Sequence, residues 1–218
     1  MDNAAEYASE PGAATESASV LPPYVGIKLA DVRLVQSCAE AAQALSALMA
    51  ADAIGFDTES KPTFVKGEIS DGPHLIQLAT DDTAYLFQIG AAPAPGLDVL
   101  KAILESGATI KVGFGLSDDV KRLRIKLGIT TAKVLDLSVA LRGGQRNDLG
   151  AKTAVAKFFS LRLQKSKKTS TTNWANARLT ERQILYAADD AQVALRVYRC
   201  WIANSNTVST NAKNSTSP

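Results

Sequence analysis

The sequence predicts an α/β domain built on a mixed sheet. Two features carry that prediction. Three short apolar runs, at residues 53–59, 74–80 and 84–89, follow one another with strand-like patterning. From residue 96 onward, helical and strand-like segments alternate. A third feature bounds the domain. Residues 1–24 are rich in Ala, Ser, Glu and Pro and end in Pro22-Pro23, while residues 205–218 read SNTVSTNAKNSTSP. Neither end can bury enough apolar surface to offset ordering, so both are expected to be disordered tails. The folded domain is expected at residues 25–204, a length that buries about 70% of its unfolded surface, enough for one core.

The elements follow in order. Residues 33–36 read as a short strand, and CAEAAQALSALMA at 38–50 has helical apolar spacing. AIGFDTE at 53–59 alternates as a strand. HLIQLAT and AYLFQI are joined by Asp81-Asp82-Thr83, a hairpin signal. GLDVLKAILES at 96–106 is helical, and TIKVGFG at 109–115 is a strand that ends in glycines. Ser117 is expected to cap a helix running to about Leu127. VLDLSVAL at 134–141 reads equally as a short helix or an extended segment. Residues 148–160 are helical, and QKSKKTSTTN at 164–173 is a basic, hydroxyl-rich loop. The last helix opens on a Thr180…Gln183 capping box and is expected to end near Ile202. Gly113-Phe-Gly115 resembles the start of a dinucleotide fingerprint, but Asp118 stands at the third glycine position, where it would repel a pyrophosphate. It reads as a tight strand-to-helix turn.

Composition removes several function classes. No apolar run approaches the ~18 residues of a membrane-spanning helix. No basic region and apolar stretch open the chain, so no secretory signal is visible. Cys38 and Cys200 are far apart and form no CxxC pair, which argues against a disulfide scaffold or structural zinc and for a reducing compartment. An intracellular, cytoplasmic location is therefore expected. His74 is the sole histidine, so multi-histidine metal sites are excluded. No Gly-Lys pair exists for a phosphate-cradling Walker loop, and no GxSxG elbow for a serine hydrolase.

The net charge of +2 hides a polarity. Residues 1–24 hold four acids and no base, whereas residues 120–170 hold thirteen Lys and Arg against only Asp136 and Asp148. Such a block suits a polyanion-facing surface, and equally a set of solvated helix faces.

Acidic residues occupy positions a core would not choose. On the strand at 53–59, Gly55, Asp57 and Glu59 share one face, and two acids side by side there repel each other and resist burial. A bound cation would relieve both problems; an edge strand with one wet face is the plain alternative. In the helix after Gly115 the apolar stripe is Val120, Leu123 and Leu127, and Asp119 lies roughly 70° from its centre. Asp119 faces the protein, while Asp118 serves the positive N-terminus; Asp119 in that same dipole role is the alternative. In the last helix, Tyr186 and Asp190 share a face with Val193 and Val197. An acid beside valines needs a partner, either a Lys or Arg or a metal ion shared with the other acids.

Taken in order, these motifs resemble the DEDD superfamily of 3′–5′ exonucleases, in its tyrosine subclass with RNase D and the Werner-syndrome exonuclease domain. FDTE matches the first motif through Asp57 and Glu59, with LIQL at 75–78 after it. KVGFGLSDDVKRL matches the second through Asp119 rather than Asp118. YAADD matches the third through Tyr186 and Asp190, preceded by Asn173-Trp174 and by Leu179-Thr180 with Gln183. The resemblance spans residues 30–203, with no RNase D-type accessory domain and no helicase in the chain. His74 lies between the first and second motifs, so the histidine subclass does not fit.

The resemblance implies an RNase H-like (DnaQ-like) mixed sheet of five strands flanked by helices. It implies catalytic residues Asp57, Glu59, Asp119, Tyr186 and Asp190. The four carboxylates would hold two divalent cations, Mg²⁺ or Mn²⁺, about 4 Å apart. One ion would activate the attacking water and the other would stabilise the leaving 3′ oxygen. Tyr186, with an ordinary pKa of ~10, would position that water rather than deprotonate it. Products would be nucleoside 5′-monophosphates. Partners would be the 3′ ends of DNA or RNA, with no membrane and no obligate protein partner evident. Lys165, Lys167 and Lys168 are candidate backbone contacts. Trp174 could stack a base, but a core role suits it better. The competing readings are a catalytically silent nucleic-acid-binding module and a structural or interaction protein on the same fold.

Overall fold

The computed structural model describes residues 21–63, 67–68, 71–90, 96–144 and 146–214. Six strands form one sheet in the order β1-β4-β3-β2-β5-β6. They are β1 (Val32–Val35), β2 (Ala53–Glu59), β3 (Leu75–Ala79), β4 (Ala84–Gln88), β5 (Ile110–Gly113) and β6 (Val134–Asp136). Strand β3 runs antiparallel to both its neighbours, and every other pairing is parallel. The sheet is thus mixed, as expected, but has six strands rather than five. The sixth is the segment that read equally as helix or strand. Its three residues are too few to show a period, and Leu137 begins a helical turn at once.

Helices cover both faces. Against one face lie α1 (Cys38–Ala50), α2 (Leu97–Glu105) and α3 (Ser117–Leu127), sharing a core with Ile54, Phe56, Ile76 and Leu78. Against the other lie α4 (Leu137–Ala140), α5 (Ala151–Phe159) and the long α7 (Glu181–Asn214). A short helix, α6 (Lys167–Ser170), interrupts the segment expected to be a loop. Ser37 caps α1 by accepting from the Glu40 N–H, and Thr180 and Gln183 cap α7 reciprocally.

Three boundaries differ from the sequence expectation. The first concerns Ser117, which is the first helical residue of α3 rather than its cap. No side chain caps α3; the Asp136 carboxylate, at the end of β6, accepts from the Gly115 and Leu116 N–H groups of the preceding turn at 2.9 Å each. The second is that α7 continues to Asn214, well past Ile202. The third is that residues 21–24, assigned to the N-terminal tail, are tied to the body. Arg162 N–H donates to Pro22 O at 2.7 Å, Tyr24 N–H donates to Arg162 O at 3.0 Å, and Ile27 N–H donates to Asp189 Oδ1 at 2.7 Å. Prolines lack an N–H but keep an acceptor, so Pro22 can still join a bridge. The remainder of the expected N-terminal tail, residues 1–20, and residues 215–218 lie outside the described residues.

Candidate functional site

Strand β2 is central, between β3 and β5, which removes the wet-edge alternative for its acids. Its face bearing Gly55, Asp57 and Glu59 lies under α7. A Cβ added at Gly55 would come within 1.9 Å of the Ala191 carbonyl oxygen, so α7 crosses the strand in direct backbone contact. That crossing sets Asp190, next to Ala191, over Asp57, next but one to Gly55. Carboxylate oxygens of Asp57, Glu59 and Asp190 all lie within 4.8 Å of one another. Asp190 is 8% exposed.

Asp119 arrives from the other side. It lies in the first turn of α3, which follows β5, and β5 runs parallel to β2, so its end brings α3 to the end of β2. The Thr58 hydroxyl donates to Asp119 Oδ1. Asp119 therefore borders the other three acids, held by the strand residue between Asp57 and Glu59, and stands outside their closest grouping. Asp118 is exposed.

Tyr186 sits one turn before Asp190, its ring centroid 6.1 Å from that of Trp174 at an interplanar angle of 43°. Trp174 is 1% exposed, and its indole N–H donates to Ser170 O at 3.2 Å. It is thus a core residue that braces Tyr186. The three lysine candidates separate. Lys165 Nζ lies 2.9 Å from Asp190 Oδ1, so the lysine partner left open for Asp190 is present. Lys167 and Lys168 are exposed on α6 and do not line the cavity beside Tyr186.

That cavity, of about 640 Å³, opens beside Tyr186 and Asp190 and is lined by Lys152, Arg162, Lys165 and Arg182 among others. Lys152 and Arg162 belong to the basic block noted above but were not singled out, and Arg182 was missed altogether. Its signal was available, because Arg182, Tyr186 and Asp190 follow one another at four-residue spacing and so share a helix face.

The electrostatics reflect acids crowded out of water. Burial, then the charges of Asp190 and Asp119, raise Asp57 well above the ordinary carboxylate range. Burial, then Asp57, push Glu59 up to about 9. Burial raises Asp119 against the opposing hydrogen bond from Thr58, and raises Asp190 against the pull of Lys165. Burial, then Asp190 and Glu59, raise Tyr186. For Lys165, burial works to lower the value, but Asp190, Asp57 and Glu59 outweigh it and the net shift is upward.

A raised acid binds its proton more tightly folded than unfolded, so it costs stability as pH climbs from the unfolded value toward the folded one. The metal-free protein is therefore expected to melt at progressively lower temperature between about pH 5 and pH 9, the window from ordinary carboxylates to Glu59. Divalent cations should reverse the trend. Calorimetric melts across that range, with and without Mn²⁺, check this; a melting temperature that rises with pH without metal would contradict it.

Comparison with known proteins identifies the family. A 3′–5′ exonuclease family profile matches residues 32–200. An exonuclease mut-7 homologue of Aedes aegypti is 30% identical over 189 residues, covering 77% of this chain and 26% of that protein. Mouse exonuclease 3′–5′ domain-containing protein 2 is 35% identical over 100 residues, covering 44% of this chain and 15% of its own length. The chain thus spans well under two thirds of the length of these curated relatives. Among solved structures, the Nibbler EXO domain of Aedes aegypti superposes with a TM-score of 0.68 at 25% identity, over 80% of this chain and 88% of that one. Escherichia coli RNase D, an exoribonuclease involved in structured RNA processing, superposes with a TM-score of 0.66 at 26% identity, over 85% and 46%. Among the described residues, no helix is long and apolar enough to cross a membrane.

Proposed function

The chain belongs to the 3′–5′ exonuclease family, and from that premise we propose that it is a metal-dependent hydrolase releasing nucleoside 5′-monophosphates from the 3′ ends of DNA, RNA or both. The observation that carries this reading is the convergence of Asp57, Glu59 and Asp190 beside a cavity with a basic lining. Four neighbouring carboxyls with raised proton affinities are a costly arrangement without counter-charge, and an oxygen-only donor set fits Mg²⁺ or Mn²⁺ better than zinc. Asp57, Glu59, Asp119 and Asp190 would hold two such ions. When bound, the ions supply the positive charge that makes water nucleophilic near neutral pH and steadies the departing 3′ oxygen.

The chain's own groups do the rest. Tyr186 keeps its proton, because burial and the neighbouring acids disfavour the phenolate. Its hydroxyl therefore orients the attacking water by hydrogen bonding and does not act as the base. Trp174 holds the ring at its working angle. Lys152, Arg162 and Arg182 present cations at the cavity wall for backbone phosphates, and Lys167 and Lys168 extend that path over α6. Tyr186→Phe is expected to lower kcat on the order of 10²-fold with KM and Mn²⁺ affinity little changed. Steady-state kinetics with an isothermal Mn²⁺ titration check this; undiminished kcat would remove Tyr186 from the mechanism.

The experiment for the function is a digest of 5′-labelled DNA and RNA oligonucleotides with Mg²⁺, Mn²⁺ or EDTA. The expected result is a ladder shortening from the 3′ end with nucleoside 5′-monophosphate as product, silent in EDTA. Salt-sensitive binding without cleavage under either metal would instead identify a silent nucleic-acid-binding module.

A further inference from the structure

We infer that Lys165 is a tethered counter-cation of the carboxylate cluster, holding Asp190 in register in the metal-free protein and competing with divalent cations for that position. The inference rests on the metal-site reading above and deepens it. Lys165 Nζ lies 2.9 Å from Asp190 Oδ1, and Asp190 has an oxygen within 4.8 Å of oxygens of Asp57 and Glu59. The Asp190 side chain is only 7% exposed, whereas that of Lys165 is 29% exposed and reaches in from a segment at the cavity wall. Among the described residues, this is the ion pair made to the three clustered acids.

Geometry makes the competition direct. A Mg²⁺ or Mn²⁺ ion bound to Asp190 would sit about 2.1 Å from its ligand oxygen. With the ammonium 2.9 Å from Asp190 Oδ1, an ion ligated by that same oxygen would stand no more than about 5 Å from the ammonium. The divalent ion, with several oxygen ligands, displaces the single ammonium. The four-carbon stem lets Lys165 swing outward into the cavity without moving the backbone. Before metal arrives, the same ammonium pairs with Asp190 and holds that carboxylate in place beside Asp57 and Glu59. Lys165 is thus a positioning residue that ties the cluster's shape to its state of occupancy.

The test compares wild type with Lys165→Met and Lys165→Arg by Mn²⁺ titration without substrate, together with thermal melts. Lys165→Met is expected to bind Mn²⁺ about tenfold more tightly, since a competing cation is gone. Without metal it is expected to melt on the order of 5 °C lower, because Asp190 is left buried and unpaired, and saturating Mn²⁺ should erase that gap. Lys165→Arg, which restores the charge, should bind Mn²⁺ within about threefold of wild type. If wild type binds Mn²⁺ and Lys165→Met binds it equally or more weakly, this inference fails while the metal-site reading stands. If wild type binds none at the cluster, both fail.

Discussion

Replacing Asp57 with asparagine is expected to cut hydrolysis of a 5′-labelled oligonucleotide by at least about 10³-fold, with the fold intact. Asp57 stands between two other acids of the site, Asp190 and Asp119, and is cross-strand from Gln77. Asparagine keeps the shape of the side chain but removes the charge that a divalent cation needs. It also relieves a repulsion. In the metal-free protein the Asp57 carboxyl is held well above its ordinary proton affinity by burial and by its acidic neighbours, so a neutral amide costs less than the anion there. The variant should therefore melt at or above the wild-type temperature above neutral pH without metal, and gain less from Mn²⁺. That pairing of lost activity with unharmed stability separates a functional carboxylate from a structural one. Activity within about tenfold of wild type would remove Asp57 from the proposed centre.

Replacing Gly55 with alanine is expected to do the opposite, damaging the fold first. The new Cβ would stand 1.9 Å from the Ala191 carbonyl oxygen and 2.7 Å from its carbonyl carbon, and both are backbone atoms of α7. No side-chain rotation relieves such a contact. Strand β2 cannot retreat, since β3 and β5 hold it on either side. Helix α7 would have to lift, opening the core that buries Ala187, Ala188, Leu195 and Val197. We expect a loss of about 3 kcal/mol or more, which for a domain of this size lowers the melting temperature by roughly 6–12 °C. Lifting α7 also draws Asp190 away from Asp57, so Mn²⁺ affinity should fall with stability. Denaturant titrations and Mn²⁺ binding on the same preparation check both; a variant with unchanged stability would mean that α7 does not press on β2 as described.

The acids were legible in the sequence because each sits in an element with a short, clear period. Alternation in AIGFDTE placed Asp57 and Glu59 on one face, and the structure shows that face under α7. Four-residue spacing placed Tyr186 and Asp190 on the stripe continued by Val193 and Val197, which are 1% and 0% exposed. The off-stripe angle of Asp119 pointed it toward the protein, where Thr58 meets it. Helix α1 and strand β2 fall on the residues the pattern indicated.

What stayed hidden depends on long-range pairing. Nothing local to Asp136 announces that its carboxylate will accept from the Gly115 and Leu116 N–H groups in the turn before α3, about twenty residues away in sequence. Lys165 looked like one of several loop lysines, because its approach to Asp190 is set by how the segment after α5 passes α7. The strap at residues 21–24 read as part of a tail, since a proline-rich stretch with few apolar residues carries no periodic signal. Lys111 is a further case. It lies fully buried on β5, its ammonium donating to the Ser106 and Thr109 carbonyls, in a position that alternation alone marks only as inward or outward.

The central claim is that the carboxylates gathered where α7 crosses β2 hold the ions that drive cleavage. Anomalous diffraction from crystals soaked in Mn²⁺ tests it most directly. The account predicts two peaks about 4 Å apart among the oxygens of Asp57, Glu59, Asp119 and Asp190, with Lys165 turned away from Asp190. Soaked crystals with no peak among those four residues, or with Mn²⁺ bound only elsewhere, would contradict it.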